Sequence, residues 1–156
     1  MNASAQWADS FRRRLIEAQL ARPEEIEGCS SAEIEKLAKS AGVQSLPSFY
    51  AEWLRAVGRS AGSFLRGSVA FYPELLQLRA DAAEMMGESG RELEANAVVC
   101  LEHQGYEFAY FLAIPGLDNP PVSLFIEGMA VPETRWPSIS MFLDACLEDE
   151  RRESRR

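Results

Sequence analysis

Apolar residues change their spacing once along this chain, near residue 97. Before that point they recur every three to four positions, the repeat that lines up side chains on one face of an α-helix. Trp7, Phe11 and Leu15, with Ile16 alongside, predict a helix over residues 4–20, and Arg12, Arg13 and Arg14 then fall mostly on its wet face. "ARPEEIEGCS" reads as a connector. A second helix has a start signal at Ser30, three residues before Glu33, where hydroxyl and carboxylate can each cap the other's free backbone N–H. Ile34, Leu37, Ala38 and Ala41 form its stripe, and Gly42 supplies the stop. Pro47 suits a first helical position. Phe49, Tyr50, Trp53, Leu54 and Val57 give that third helix a wide apolar face ending at Gly58. A Gly- and Ser-rich loop follows, then a short strand candidate, "VAFYP". A fourth helix starts at Pro73, with Leu75, Leu76, Leu78, Ala82, Met85 and Met86 inward.

From residue 97 the pattern turns to β-branched and aromatic residues bounded by Gly and Pro. "AVVCLEH", "YEFAYFLA" and "PVSLFIEG" predict a three-stranded antiparallel meander. A last helix is predicted over 138–150, with Ile139, Phe142, Leu143 and Cys146 or Leu147 inward. The expected fold is therefore a single α+β domain, an antiparallel sheet with flanking helices. Its expected core holds Trp53, Leu54, Val99, Leu101, Phe108, Tyr110, Leu124 and Ile126.

The chain's 156 residues are enough for one core and too few for two comfortable ones. No apolar run approaches the roughly 20 residues that span a bilayer, and no apolar leader opens the sequence, so no membrane role and a cytoplasmic location are expected. The net charge of −8 is uneven: residues 1–80 carry +1, residues 81–150 carry −12, and the tail "RRESRR" carries +3. A nucleic-acid binder should show the opposite sign, so none is expected as a partner. An acidic half favours cationic partners, or simply keeps the protein soluble.

Candidate chemistry is sparse. Cys29, Cys100 and Cys146 form no CxxC pair, and with one histidine a Cys/His metal site is not expected. If Gln104-Gly105 is a two-residue turn, His103 faces Tyr106, Leu101 faces Phe108, Val99 faces Tyr110 and Ala97 faces Leu112. His103 then sits at the rim of an apolar sheet face. No motif supplies it with a nucleophile or an orienting carboxylate, so no enzyme, catalytic residue or cofactor is expected. On the opposite face the same register sets Glu102 across from Glu107. If Ala113 pairs with Pro121, Glu107 also faces Glu127. Like charges directly opposed in a sheet are unfavourable, so such a row suggests a bound cation, a basic partner or a wrong register, unless it is merely a solvated sheet end. Phe111 and Phe125 share that face and are candidate apolar anchors, with Asp118 and Glu133 as acidic neighbours in adjacent loops.

"SSAEIEKLAKSAGVQSLPSFYAEWLRAVG" resembles the opening of the SUKH superfamily, in which a helix is followed by Leu-Pro, an aromatic-rich helix and a Gly. Here these are Ile34, Leu37, Leu46, Pro47, Tyr50, Trp53, Leu54 and Gly58. "FLRGSVAFYPELLQLR", with Gly67, Ser68 and Tyr72, is similar to the segment that comes next in bacterial members. "HQGYEFAYFL", "NPPVSLFIEG" and "SISMFL" are similar to their later strands and last helix. The resemblance divides the chain into an N-terminal helix and connector (1–27), a SUKH-like domain (28–147) and a charged tail (148–156). It implies an α+β fold with no catalytic residues. It also implies a binding role, either as a bacterial immunity protein neutralising a toxin, often a nuclease, or as a regulatory domain like the yeast cell-wall assembly regulators. The expected partner is a cationic toxin domain, met by Glu102, Glu107, Glu127, Asp118, Glu133, Phe111 and Phe125.

Overall fold

A computed structural model describes residues 2–155. In chain order the elements are α1 (Ala3–Glu17), β1 (Ile26–Glu27), α2 (Ser31–Ser40), α3 (Ser48–Val57), β2 (Ser60–Ala61), β3 (Ser68–Val69), α4 (Leu75–Glu88), β4 (Ala97–His103), β5 (Glu107–Leu112), β6 (Val122–Ile126), β7 (Glu133–Trp136) and α5 (Ile139–Glu153). A 3₁₀ turn, Pro23–Glu25, follows α1. The expected α+β class is the one observed, and both sheets are antiparallel.

Local chemistry explains the helix boundaries. Ser30 Oγ accepts from the Glu33 N–H and Glu33 Oε1 accepts from the Ser30 N–H, the reciprocal cap expected from their spacing. Gly42 follows α2 with φ +73°, a conformation that costs a residue with a Cβ. Ser138 caps α5 by accepting from the Met141 N–H. α5 runs on to Glu153, so most of the segment expected as a tail is helix.

The main sheet has the order β3-β4-β5-β6-β7, and β1 pairs with β2 apart from it. Its central strand is covered on both faces: Phe108, Ala109, Tyr110 and Phe111 are all buried. α4 packs against β4 on the face that carries Phe108 and Tyr110. α3 covers the other face, where Tyr50 meets Phe111 edge-on at 5.1 Å. α1 and α5 pack on α3 and on each other, and Phe11 and Leu15 of α1 are fully buried in the common core. Of the expected core residues all are buried except Ile126, which is half-buried.

The strand register differs from expectation in one place, and that place reorders the candidate site. Ala97, Val98 and Val99 pair with Leu112, Phe111 and Tyr110, as a two-residue turn would give. Then the register shifts between Val99 and Leu101, so that Leu101 faces Ala109, Glu102 faces Phe108 and His103 faces Glu107. A bulge inserts one unpaired residue, here Cys100, and moves every later side chain by one position. The connection becomes a three-residue turn, Gln104–Tyr106, in which Gln104 (φ +52°) and Gly105 (φ +77°) are left-handed. β6 is also one residue off: Glu107 faces Ile126 rather than Glu127.

Candidate acidic docking cleft

The expected row of three glutamates does not form. Glu102 pairs with Phe108 and so shares the α4 face of the sheet, whereas Glu107, one position on, belongs to the opposite face beside His103. Glu127 follows β6 and its N–H donates to the Tyr106 carbonyl at 2.8 Å, which holds it against the β4–β5 turn. Glu133 lies exposed on β7, ion-paired with Arg135 at 3.0 Å. Asp118 is in the β5–β6 connection, at the other end of the sheet from that turn. Phe111 and Phe125 are 1% and 0% exposed, so they belong to the core and cannot be surface anchors. The expectation failed there because a sheet covered on both faces has no wet side for them to occupy.

What the structure does assemble is a different acidic group. Asp81, Glu84, Met85 and Glu88 stand at i, i+3, i+4 and i+7 on α4, one stripe of a helix. They line a cleft of about 190 Å³ together with Glu102, Gly105 and Glu127. Five of the seven lining residues are carboxylates and none is basic, so nothing in the cleft neutralises them. Burial pushes the Glu102 carboxyl above its usual range, and the neighbouring Asp81 pushes it further. The cleft therefore stores like-charge repulsion that a cationic visitor would relieve. Among the described residues no group of three or more His, Cys, Asp or Glu is arranged to hold a metal ion.

Tyr106, 39% exposed in the turn next to Gly105, does not line the cleft; its ring meets His103. The sequence register placed it in the apolar strand face opposite His103, and the three-residue turn instead lifts it out. The α4 stripe was open to inspection in the sequence, since Asp81, Glu84 and Glu88 already stand at helical spacing.

His103 has a structural partner. Its Nδ1 lies 2.9 Å from Ser68 Oγ, joining β3 to β4, and its ring meets Tyr106 edge-on at 6.2 Å. Among the described residues no carboxylate lies within ion-pair distance of it. The three cysteines are free thiols. Burial raises Cys29 to about 11 and Cys146 to about 12, and pushes Cys100 up as well, so the nucleophilic thiolate is suppressed at all three. Glu33 is the opposite case: hydrogen bonding to Arg59, then to the Ser30 N–H, holds its carboxyl down at about 2. This pair fastens the start of α2 to the chain just beyond α3.

Compared with family models and with curated proteins, the sequence matches none.

Proposed function

We propose that this protein is a non-catalytic binding domain that docks a cationic protein surface in the cleft between α4 and the β4–β5 turn. Its most concrete form is an immunity protein that occludes a toxin. The observation that carries the reading is the unneutralised cleft: five carboxylates, no basic residue, and a Glu102 that burial and Asp81 already disfavour as an anion. Exposed charges of this kind chiefly accelerate encounter and select the partner, while a buried aromatic supplies affinity. In this reading the exposed Tyr106, in the turn that borders the cleft at Gly105, is the nearest aromatic for that second part. The resemblance to the SUKH superfamily supports the toxin as partner, because many bacterial members neutralise nucleases, whose Lys and Arg clusters grip phosphate.

The test begins with partner capture from the native strain, followed by association kinetics on the captured protein. Replacing Glu84, Glu102 and Glu127 by lysine should slow association about tenfold or more at low salt, with the difference shrinking at high salt. An unchanged on-rate from a folded variant would remove the cleft from the interface. Capture of a toxin supports immunity, and capture of an endogenous cell-wall or regulatory protein supports the regulatory role instead.

A further inference from the structure

We infer that the opposite end of the sheet holds a second binding site, a groove for an extended apolar peptide segment carrying one basic residue. The groove is about 380 Å³, at the lower end of the roughly 300–1,000 Å³ typical of ligand sites. One wall is residues 42–47 of the α2–α3 connection with Ser48, the first residue of α3, and the other is the start of the β5–β6 connection, residues 113–118, to which Asn96 is hydrogen-bonded at Ala113. In a chain with 26% charged residues, Asp118 is the single charged residue in this lining.

Three observations define the occupant. First, the rim is apolar and wet. Ile114 is 47% exposed and Leu117 is 39% exposed, two of the five large hydrophobic side chains left in solvent among the described residues. Val43, Leu46 and Pro47 continue the apolar lining on the facing wall. Second, both walls are irregular backbone with hydrogen-bonding capacity to spare. Among the described residues, the backbones of Gln44, Ser45 and Leu46 and the N–H of Ile114 make no backbone hydrogen bond. Free main-chain donors and acceptors between apolar side chains suit an extended chain, which offers its own backbone and alternate side chains. Third, the Asp118 carboxylate makes no ion pair or side-chain hydrogen bond among the described residues, although the Asp118 carbonyl accepts from the Phe49 N–H at 3.1 Å. The start of α3 brings about half a positive charge to the facing wall, which the formal charge of Asp118 outweighs. The charge preference is for a lysine or arginine in the guest.

The site is separate from the acidic cleft and stands or falls apart from it. The probe is a panel of fluorescein-labelled, end-capped eight-residue peptides with two aliphatic residues flanking a lysine, each with a glutamate counterpart, titrated by anisotropy against the full chain. Lysine peptides should bind about tenfold more tightly than their glutamate counterparts. Asp118→Lys should invert that preference, a readout that simple loss of fold cannot mimic. Ile114→Glu should abolish binding of both sets. Circular dichroism and thermal unfolding establish that both variants fold. The proposal is overturned if no lysine peptide binds, or if Asp118→Lys leaves the preference as it was. It is also overturned if light scattering shows a dimer that Ile114→Glu dissolves, because the groove would then be covered by a second copy.

Discussion

The two ends of the main sheet hang from the same buried strand and solve the problem of a connection differently. At one end β4 turns into β5 through three residues, and carboxylates from α4, β4 and the end of β6 crowd beside the turn. At the other end β5 reaches β6 through a longer, nearly uncharged connection that leaves Ile114 and Leu117 in solvent. On the proposed reading, the first end would gain specificity from charge and respond to salt and pH, and the second would rely on apolar contact and open backbone, with one charge to set direction. A domain that binds by both would meet a partner's field at one end and its chain at the other.

The sharpest way to break this comparison is to attack what both ends share. Phe111→Ala should cost about 3–5 kcal/mol, read by urea unfolding, because the ring is 1% exposed and packed against Tyr50. A surface anchor would lose almost nothing. Gly105→Ala acts on the acidic end alone. The space around Gly105 is open, so the cost is that of a left-handed backbone, about 1–2 kcal/mol, measured by the same unfolding curve. Glu102→Gln separates the two ends electrostatically. The folded carboxyl has a raised pKa, so its favourable share of stability is complete below the ordinary carboxylate value and is lost as pH rises through the raised one. The variant should therefore be more stable than the parent at pH 7, by about 0.5 kcal/mol. That gain should vanish at about pH 3, below the ordinary carboxyl value, as read from paired thermal melts. Ile114→Ser, at the uncharged end, should change stability by less than about 0.5 kcal/mol at either pH, since nearly half of the side chain is already in water.

The helical part of the fold was legible because its signals are local. The Ser30–Glu33 cap, the stop at Gly42 and the stripe Ile34, Leu37, Ala38 each sit within a few residues of the structure they determine. The sheet was legible in outline and not in register. Cys100 carries no mark of a bulge in its neighbours, and one unpaired residue there was enough to move Glu102 to the face opposite Glu107. "EFAYFL" alternates weakly and its pattern implies one wet face, whereas helices cover both. β7, "ETRW", went unseen because a short edge strand rich in charge has no apolar period to show. The acidic cleft draws on α4, β4 and the end of β6, so its composition depends on the register that the sequence left ambiguous.

The join between α1 and α5 has a consequence for the order in which the chain is made. Asp144 accepts from Trp7 Nε1 at 3.1 Å and pairs with Arg14 at 2.7 Å, so one carboxylate in the last helix serves two side chains in the first. During synthesis α3 emerges early and can cover Phe11, which its Trp53 meets edge-on at 6.1 Å. Asp144 is translated some 130 residues after Arg14. At roughly 5–20 residues per second that is a wait of about 6–26 s. Through that interval Trp7 and Arg14 are without the carboxylate that will orient them. The first helix leaves the ribosome as a provisional element, and the last helix fixes it in place.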